Sequence, residues 1–579
     1  MSIVKKILHY TRAHSIYILL SLICSAISVG FTLYIPVLIG NAIDYMVKKG
    51  AVDFVGISGI LVQIGIFIIV AVVFQWLAGN FTNIICARTV RDMRQDVFKK
   101  FNRVPLSDID SMAHGDLISR ITNDVEAVGD GLSQVITQLF SGIVTIVGTL
   151  VFMVSINLWI ALVVVILTPL SVLVAGIIGK LCAKSFREQQ ELQGEISSYV
   201  EEIVGNQKVV KAFAYEKRSQ EEFNEKNKRL FKVGLKAQFA GALANPSTRF
   251  VNNIVYAVTG IVGAISVVST FMGTLTIGGL SCFLTYANQY TKPFNEVTGV
   301  LTQIQTALAA GDRVFRVLES ENEPDDSDKS SPESIKGDIE FKHIAFGYNP
   351  EKPIIKDFSL SVKNGQQIAI VGPTGCGKTT LINLIMRFYE VDSGEILIDG
   401  INTRDIKRDN LRGFFGMVLQ DSWLFSGTIM ENLRYGNPSA SDEEIIEAAK
   451  LSYAHSFIRK MPDGYNTKLS EGASNLSAGQ KQLLCIARAM VLNPPMLILD
   501  EATSSIDTLT EIRVQKAFKK LMKGRTSFVV AHRLSTVKES DVILVMKDGD
   551  IIEQGTHNEL LKLKGFYEEL YNSQFSDMG

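Results

Sequence analysis

The chain has 579 residues, too many for one hydrophobic core, so at least two domains are expected. Its formal net charge of −1 gives no electrostatic basis for a nucleic-acid partner. Against that, 47% hydrophobic residues and a mean hydropathy of +0.20 are high for a soluble protein, and the six cysteines, scattered without paired spacing, read as reduced thiols rather than a disulfide framework or zinc site.

From the N-terminus, Lys5, Lys6 and Arg12 precede an apolar run far longer than a signal-peptide core, which reads as an anchor retained in the protein. Six stretches reach the length of about 20 residues that crosses a bilayer: 16–40, 54–79, 132–155, 158–180, 250–272 and 277–294. Buried helices of a soluble protein are excluded by residues 135–182, which hold no Asp, Glu or Arg and only Lys180. Basic residues set the orientation. Arg88, Arg91, Arg94, Lys99, Lys100, Arg103 and Arg120 lie between the second and third spans, and Lys184, Arg187, Lys208, Lys211, Lys217 and Arg218 between the fourth and fifth. The links after the third and fifth spans carry none, and the first external link has Lys48 and Lys49. The N-terminus, both long loops and everything after the sixth span are therefore expected on the cytoplasmic side of a cell membrane.

Residues 82–131 and 181–249 have few Pro or Gly and helical charge patterning, so each is expected to form a rigid helical hairpin beyond the bilayer. Within the spans the polar residues are mild: Gln75, Asn80, Asn83, Asn157, Asn252, Asn253, Gln289 and Tyr290. With Phe283, Tyr286 and Phe294 they suit a path for hydrophobic or amphipathic cargo; helix–helix packing is the alternative for each.

Residues 321–336 are acidic and bear Pro and Ser, as expected of a linker. An α/β pattern follows. The apolar strand Gln367-Ile-Ala-Ile-Val371 runs into Gly372-Pro-Thr374-Gly375-Cys376-Gly377-Lys378-Thr379-Thr380 and then an amphipathic helix. That is the context of a phosphate-binding loop: glycines turn backbone N–H groups toward phosphate, Lys378 supplies positive charge, and the Thr379 hydroxyl ligates Mg²⁺. Further on, Met496-Leu-Ile-Leu-Asp500-Glu501 is an apolar strand ending in two carboxylates. Asp500 is expected to hold Mg²⁺ and Glu501 to polarise the attacking water.

Leu476-Ser477-Ala478-Gly479-Gln480 resembles the LSGGQ signature of the ABC transporter superfamily, and other marks of that family follow suit. Tyr348 matches the aromatic residue that stacks on adenine, Gln420 the Q-loop glutamine and metal contact, Ser505-Ile-Asp507 the D-loop, and His532 the switch histidine. The resemblance covers the whole chain and is to a half-transporter of the multidrug-exporter type. It implies a six-helix membrane domain over 1–320 with long cytoplasmic extensions, a linker over 321–336 and an α/β ATPase domain over 337–579. It implies ATP and Mg²⁺ as cofactors, with Glu501, His532 and Gln420 catalytic. By the same likeness, residues 115–124 lie at the first coupling helix and 213–216 near the second.

The family arrangement sandwiches ATP between the phosphate loop of one domain and Ser477, Gly479 and Gln480 of another, so a dimer is implied. Ala478 stands where the family usually has Gly, while Glu501 and His532 are intact. Some relatives pair a complete chain carrying an altered signature with a degraded one, so a heterodimer is favoured over a homodimer. The expected function is ATP-driven export of hydrophobic or amphipathic compounds across the membrane. A lipid flippase, a peptide exporter and an ATP-gated channel of the same fold are the alternatives.

Overall fold

The apolar runs of the first half fold as long helices whose ends are set by short polar caps. The computed structural model describes residues 2–46, 52–269, 275–349, 352–420, 422–500, 506–530 and 534–574. In chain order the helices are α1 (Ile3–Arg12), α2 (Ser15–Met46), α3 (Phe54–Phe101), α4 (Leu106–Asp110), α5 (His114–Ser119), α6 (Val125–Gln134), α7 (Phe140–Ile156), α8 (Leu158–Gly205), α9 (Gln207–Ala212), α10 (Glu216–Val268) and α11 (Ile277–Glu319). Asp53 caps α3 by accepting from Val55 and Gly56 N–H, and Asn157 caps α8 by accepting from Trp159 and Ile160 N–H. Asn157 itself is extended, which breaks α7 from α8 at the predicted link between two spans.

Among the described residues, four helical stretches are long and apolar enough to cross a bilayer: Ser15–Met46, Phe54–Phe101, His114–Ile156 and Glu216–Val268. The stretches 158–180 and 277–294 lie in α8 and α11. Helix α8 runs 48 residues and α10 runs 53. At 1.5 Å per residue, each is about 70–80 Å long, more than twice the hydrocarbon thickness. The expected helical hairpin at 181–249 is thus continuous with its spans. One membrane-unit core gathers Leu33, Met153, Ile160, Val255, Phe283 and Tyr286, where Tyr286 Oη donates to the Leu33 carbonyl at 2.6 Å. Phe283 and Tyr286, read as path residues, are fully buried here.

The chain divides into two units: Met1–Arg103 with Met112–Ser320, and Val104–Ser111 with Glu321–Gly579. The short helix α4 therefore belongs to the second unit. The stretch 115–124, expected at the first coupling helix, belongs to the first; its Asp124 is buried and receives both Nε (2.8 Å) and Nη2 (2.5 Å) of Arg313 from α11. That bidentate pair ties the stretch to α11 within the membrane unit.

The second unit has two main sheets. Its strands are β1 (Ile339–Phe346), β2 (Ile355–Val362), β3 (Gln367–Val371), β4 (Ser393–Ile398), β5 (Ile401–Asn402), β6 (Phe415–Val418), β7 (Gly427–Thr428), β8 (Lys468–Leu469), β9 (Met496–Asp500), β10 (Thr526–Val530), β11 (Val542–Lys547) and β12 (Asp550–Gly555). The antiparallel sheet has the order β2-β1-β4-β5 and the larger sheet β12-β11-β3-β10-β9-β6. The inner strands of the larger sheet are parallel, and only edge strand β12 is antiparallel. The near-continuous apolar strands follow from burial on both faces. Ile368, Ile370, Ile498 and Phe528 pack with the helix Lys378–Ile385 and the antiparallel sheet. Their neighbours Ala369, Val371, Leu497, Leu499 and Val529 pack with the helix Ala478–Leu492. Residues 321–336 are bound to this unit: Asp326 accepts from Arg408 at 2.6 Å, Glu323 from Arg412 at 2.9 Å, and Ser330 bridges Ile406.

Candidate nucleotide site

Parallel strands deliver their following loops to one edge, and that edge collects the predicted residues. Register pairs Val530 with both Ile370 and Asp500, and Val418 with Leu499. The phosphate loop after β3, Gln420 after β6 and Asp500 at the end of β9 thus leave the sheet at the same carboxyl edge, where α/β folds bind ligands. His532 follows β10 by two residues. Glu501 and His532 themselves lie outside the described residues, as does Ser505.

In the loop, Gly375 (φ +83°) and Gly377 (φ +107°) adopt left-handed conformations, and Gly377 caps the helix that begins at Lys378. Gly372 is required by proximity: a Cβ there would stand 2.2 Å from the Met546 carbonyl oxygen. Lys378 Nζ donates to the carbonyls of Gly372 (2.8 Å) and Pro373 (3.0 Å), so the ammonium is held over the loop. Thr374, Gly375 and Thr379 are exposed, whereas Thr380 is buried. Cys376 is 3% exposed, with its side chain in the apolar core, so its contribution at the loop is through its backbone.

Tyr348 is half exposed; its hydroxyl accepts from Asn383 Nδ2 at 3.1 Å, which ties it to the phosphate-loop helix. Its ring meets Phe346 and Tyr389 edge-on, at 5.1 and 5.0 Å. Tyr389 Oη in turn donates to Asp110 of α4 at 2.8 Å. Burial and the Asp110 carboxylate push the Tyr389 phenol well above its ordinary range, so it stays a donor. Asn383, Tyr389 and Asp110 carry no local sequence mark; only their packing reveals them.

The second half of the expected site is built on a helix N-terminus. Ser477 caps Ala478–Leu492 through a capping box: Gln480 N–H donates to Ser477 Oγ (3.3 Å) and Ser477 N–H to Gln480 Oε1 (3.0 Å). Ala478 is exposed and Gly479 buried. A Cβ on Gly479 would stand 2.3 Å from Thr510 Cγ2 and 2.9 Å from Ile506 Cγ2. Thr510 belongs to the helix Thr508–Met522, whose cap is Asp507 accepting from Thr510 N–H at 3.0 Å. That bond holds the Asp507 carboxyl below its ordinary range. Arg488 anchors the other end of the signature helix, donating to the Asn432 carbonyl (2.9 Å), Asn432 Oδ1 (3.1 Å) and the Trp423 carbonyl (3.1 Å). Asn432, fully buried, also bonds both backbone groups of Phe425, so it links this helix to the segment after Gln420. Sequence reading missed Asn432 because one Asn in a helix is indistinguishable from a surface residue.

The donor set suits a hard cation. Among the described residues no three His, Cys, Asp or Glu side chains converge. The Thr379 hydroxyl and the Asp500 carboxylate are oxygen donors of the kind Mg²⁺ takes, with phosphate and water completing its shell.

Comparison with known proteins matches a separate family model to each half of the chain. Residues 18–294 match the family described as ABC transporter transmembrane region, and residues 355–504 the one described as ABC transporter. A fatty acid ABC transporter ATP-binding/permease protein of Mycobacterium tuberculosis is 40% identical over 91% of this chain and 83% of its own. An ATP-dependent lipid A-core flippase of Syntrophus aciditrophicus is 34% identical over 100% of this chain and 95% of its own. The solved structure of a bacterial Atm1-family ABC exporter with ATP bound superposes with a TM-score of 0.78 at 27% identity, covering 98% of this chain and 99% of that one.

Proposed function

The chain belongs to the ABC transporter family as an exporter with a transport-coupled ATPase, and from that premise we propose that it exports hydrophobic or amphipathic compounds across the cytoplasmic membrane as one half of a dimer. The observation that carries the dimer is the placement of its two half-sites. The phosphate-loop helix packs on one face of the parallel sheet and the signature helix on the other. Ser477 and Gly479 are therefore not partners for their own phosphate loop, and a second chain supplies them.

In this reading, loop N–H groups and Lys378 bind the phosphates while Tyr348, fixed by Asn383, stacks on adenine. The oxygens of Thr379, Gln420 and Asp500 would hold Mg²⁺, which neutralises charge on the β- and γ-phosphates. Glu501 takes the proton of the attacking water, His532 contacts the γ-phosphate, and the facing Ser477–Gly479 turn receives the same phosphate at a helix N-terminus. Chain closure on ATP and reopening after hydrolysis drive alternating access, with the N-terminus and ATPase unit cytoplasmic, as the basic loop residues support.

A heterodimer is favoured because Ala478 is exposed: its methyl is felt by whatever docks on that helix end rather than by its own fold. Lipid is a second reading of the cargo, supported by the similarity to a fatty acid transporter and a lipid A-core flippase. Inverted vesicles carrying the chain and its partner are expected to accumulate a fluorescent amphipathic cation or lipid only with hydrolysable ATP. ATP-dependent ion current without accumulation would instead identify a channel.

A further inference from the structure

Helix α1 lies just ahead of α2, the first long apolar helix, and is clamped on one side only. Tyr10 Oη donates to Asp96 at 3.0 Å, Lys6 pairs with Glu319 at 2.6 Å, and Ile3 and Ile7 join the core of Val128 and Phe315. On its other side Val4 and Leu8 are 49% and 55% exposed, one turn apart. Next to them Lys5 and Arg12 are exposed and make no ion pair among the described residues. An apolar strip edged by cations, at the foot of a membrane-crossing helix, is the pattern of a helix lying in the bilayer interface.

Beneath this strip is a cavity of about 140 Å³ lined by apolar side chains, among them Val4, Leu8, Leu132, Val135, Ile304 and Leu308. Gly131 of α6 and Ala307 of α11, which also line it, mark a close approach of the two helices. A Cβ on Gly131 would stand 2.2 Å from Ala307 Cβ. Helix α6 is also bracketed by two wide π-helical turns, Arg120–Asp124 and Val135–Leu139, a departure from regular helix that recurs at functional sites.

We infer that this cavity seats one acyl chain of an anionic phospholipid from the leaflet on the N-terminal side, with its phosphate on Lys5 and Arg12. The apolar lining suits a hydrocarbon chain and offers a polar ligand no hydrogen bond, while the exposed Lys5 and Arg12, on the same helix as the lining residues Val4 and Leu8, select a negative headgroup. Lys6 does not take part, being neutralised by Glu319. The seat is independent of what the exporter carries.

The test uses the full-length complex in nanodiscs of phosphatidylcholine doped with phosphatidylglycerol bearing a mid-chain diazirine. After illumination, peptides containing Val4–Leu8 and Val128–Val135 are expected to be labelled at least about fivefold more than those of the exposed apolar faces of α2 and α3. Leu132→Trp, which fills the cavity, should abolish that excess. Lys5→Gln with Arg12→Gln, which leaves the interior untouched, should reduce it by a similar factor while labelling of α2 and α3 stays constant. Labelling no greater than that of α2 and α3, equal labelling by a phosphatidylcholine or fatty-acid probe, or indifference to the double variant each overturns the assignment.

Discussion

Ala478 and Gly479 are adjacent small residues with different surroundings. The Ala478 methyl projects from the protein surface, whereas a methyl on Gly479 would collide with Thr510 and Ile506. Gly479→Ala is therefore expected to destabilise the ATPase unit by about 1–3 kcal/mol, as overpacking of a close helix crossing does. A thermal melt of the purified complex reads this. Ala478→Gly should leave the melt unchanged and alter only ATP turnover, because in the proposed dimer this exposed position faces the other chain. Glu501→Gln is expected to lower hydrolysis by about 10²- to 10⁴-fold while ATP still binds. Normal turnover in a membrane-embedded Glu501→Gln complex would remove Glu501 from its proposed role. The phosphate loop was legible because its chemistry needs contiguous residues in a fixed order. Asn383 and Asn432 were not, since each acts through a partner that is distant in sequence.

At the scale of elements, α4 is a five-residue helix bonded through Asp110 to Tyr389, which touches the proposed adenine-stacking Tyr348. By chain connection it sits between α3 and α5 of the membrane unit. Tyr389→Phe keeps the ring contacts and deletes the donor, so basal ATPase activity should persist while cargo moved per ATP falls; equal loss of both would indicate only local damage. The C-terminal helices have a titratable joint. His557 Nδ1 lies 2.7 Å from Tyr567 Oη, its ring meets that of Tyr571 at a tilt with centroids 5.4 Å apart, and Lys538 of the helix Leu534–Glu539 stands close by. Burial, then the Lys538 charge, lowers the His557 pKa below 6.5. The folded state thus binds fewer protons than the unfolded one as pH falls below about 6.5, and stability drops on acidification. His557→Gln should flatten that acid-side loss in melts of the complex between pH 7.5 and 5.5.

For the whole molecule, the opposite-face placement of the two half-sites predicts that no single chain hydrolyses ATP at the full rate. Intact mass of the complex purified from native membranes distinguishes the forms: two species support the heterodimer, and one species in twice the copy number identifies a homodimer. Cysteine labelling at the link between α7 and α8, from outside but not inside the cell, checks the orientation drawn from the basic loops.

The sequence by itself determined the two-part plan, the long apolar helices, the phosphate loop and the strand ending at Asp500. All of these rest on local chemistry: apolar runs long enough for a bilayer, glycines where the backbone must turn, a carboxylate after a buried strand. Tertiary structure alone decided that Val104–Ser111 groups with the ATPase unit, and that Arg313 holds Asp124 across 189 positions of chain. It alone decided why Gly479 must be glycine and Ala478 need not be, and which side of α1 stays open to lipid. Those facts depend on close approaches between helices far apart in sequence, and spacing along a chain does not encode the distance between them.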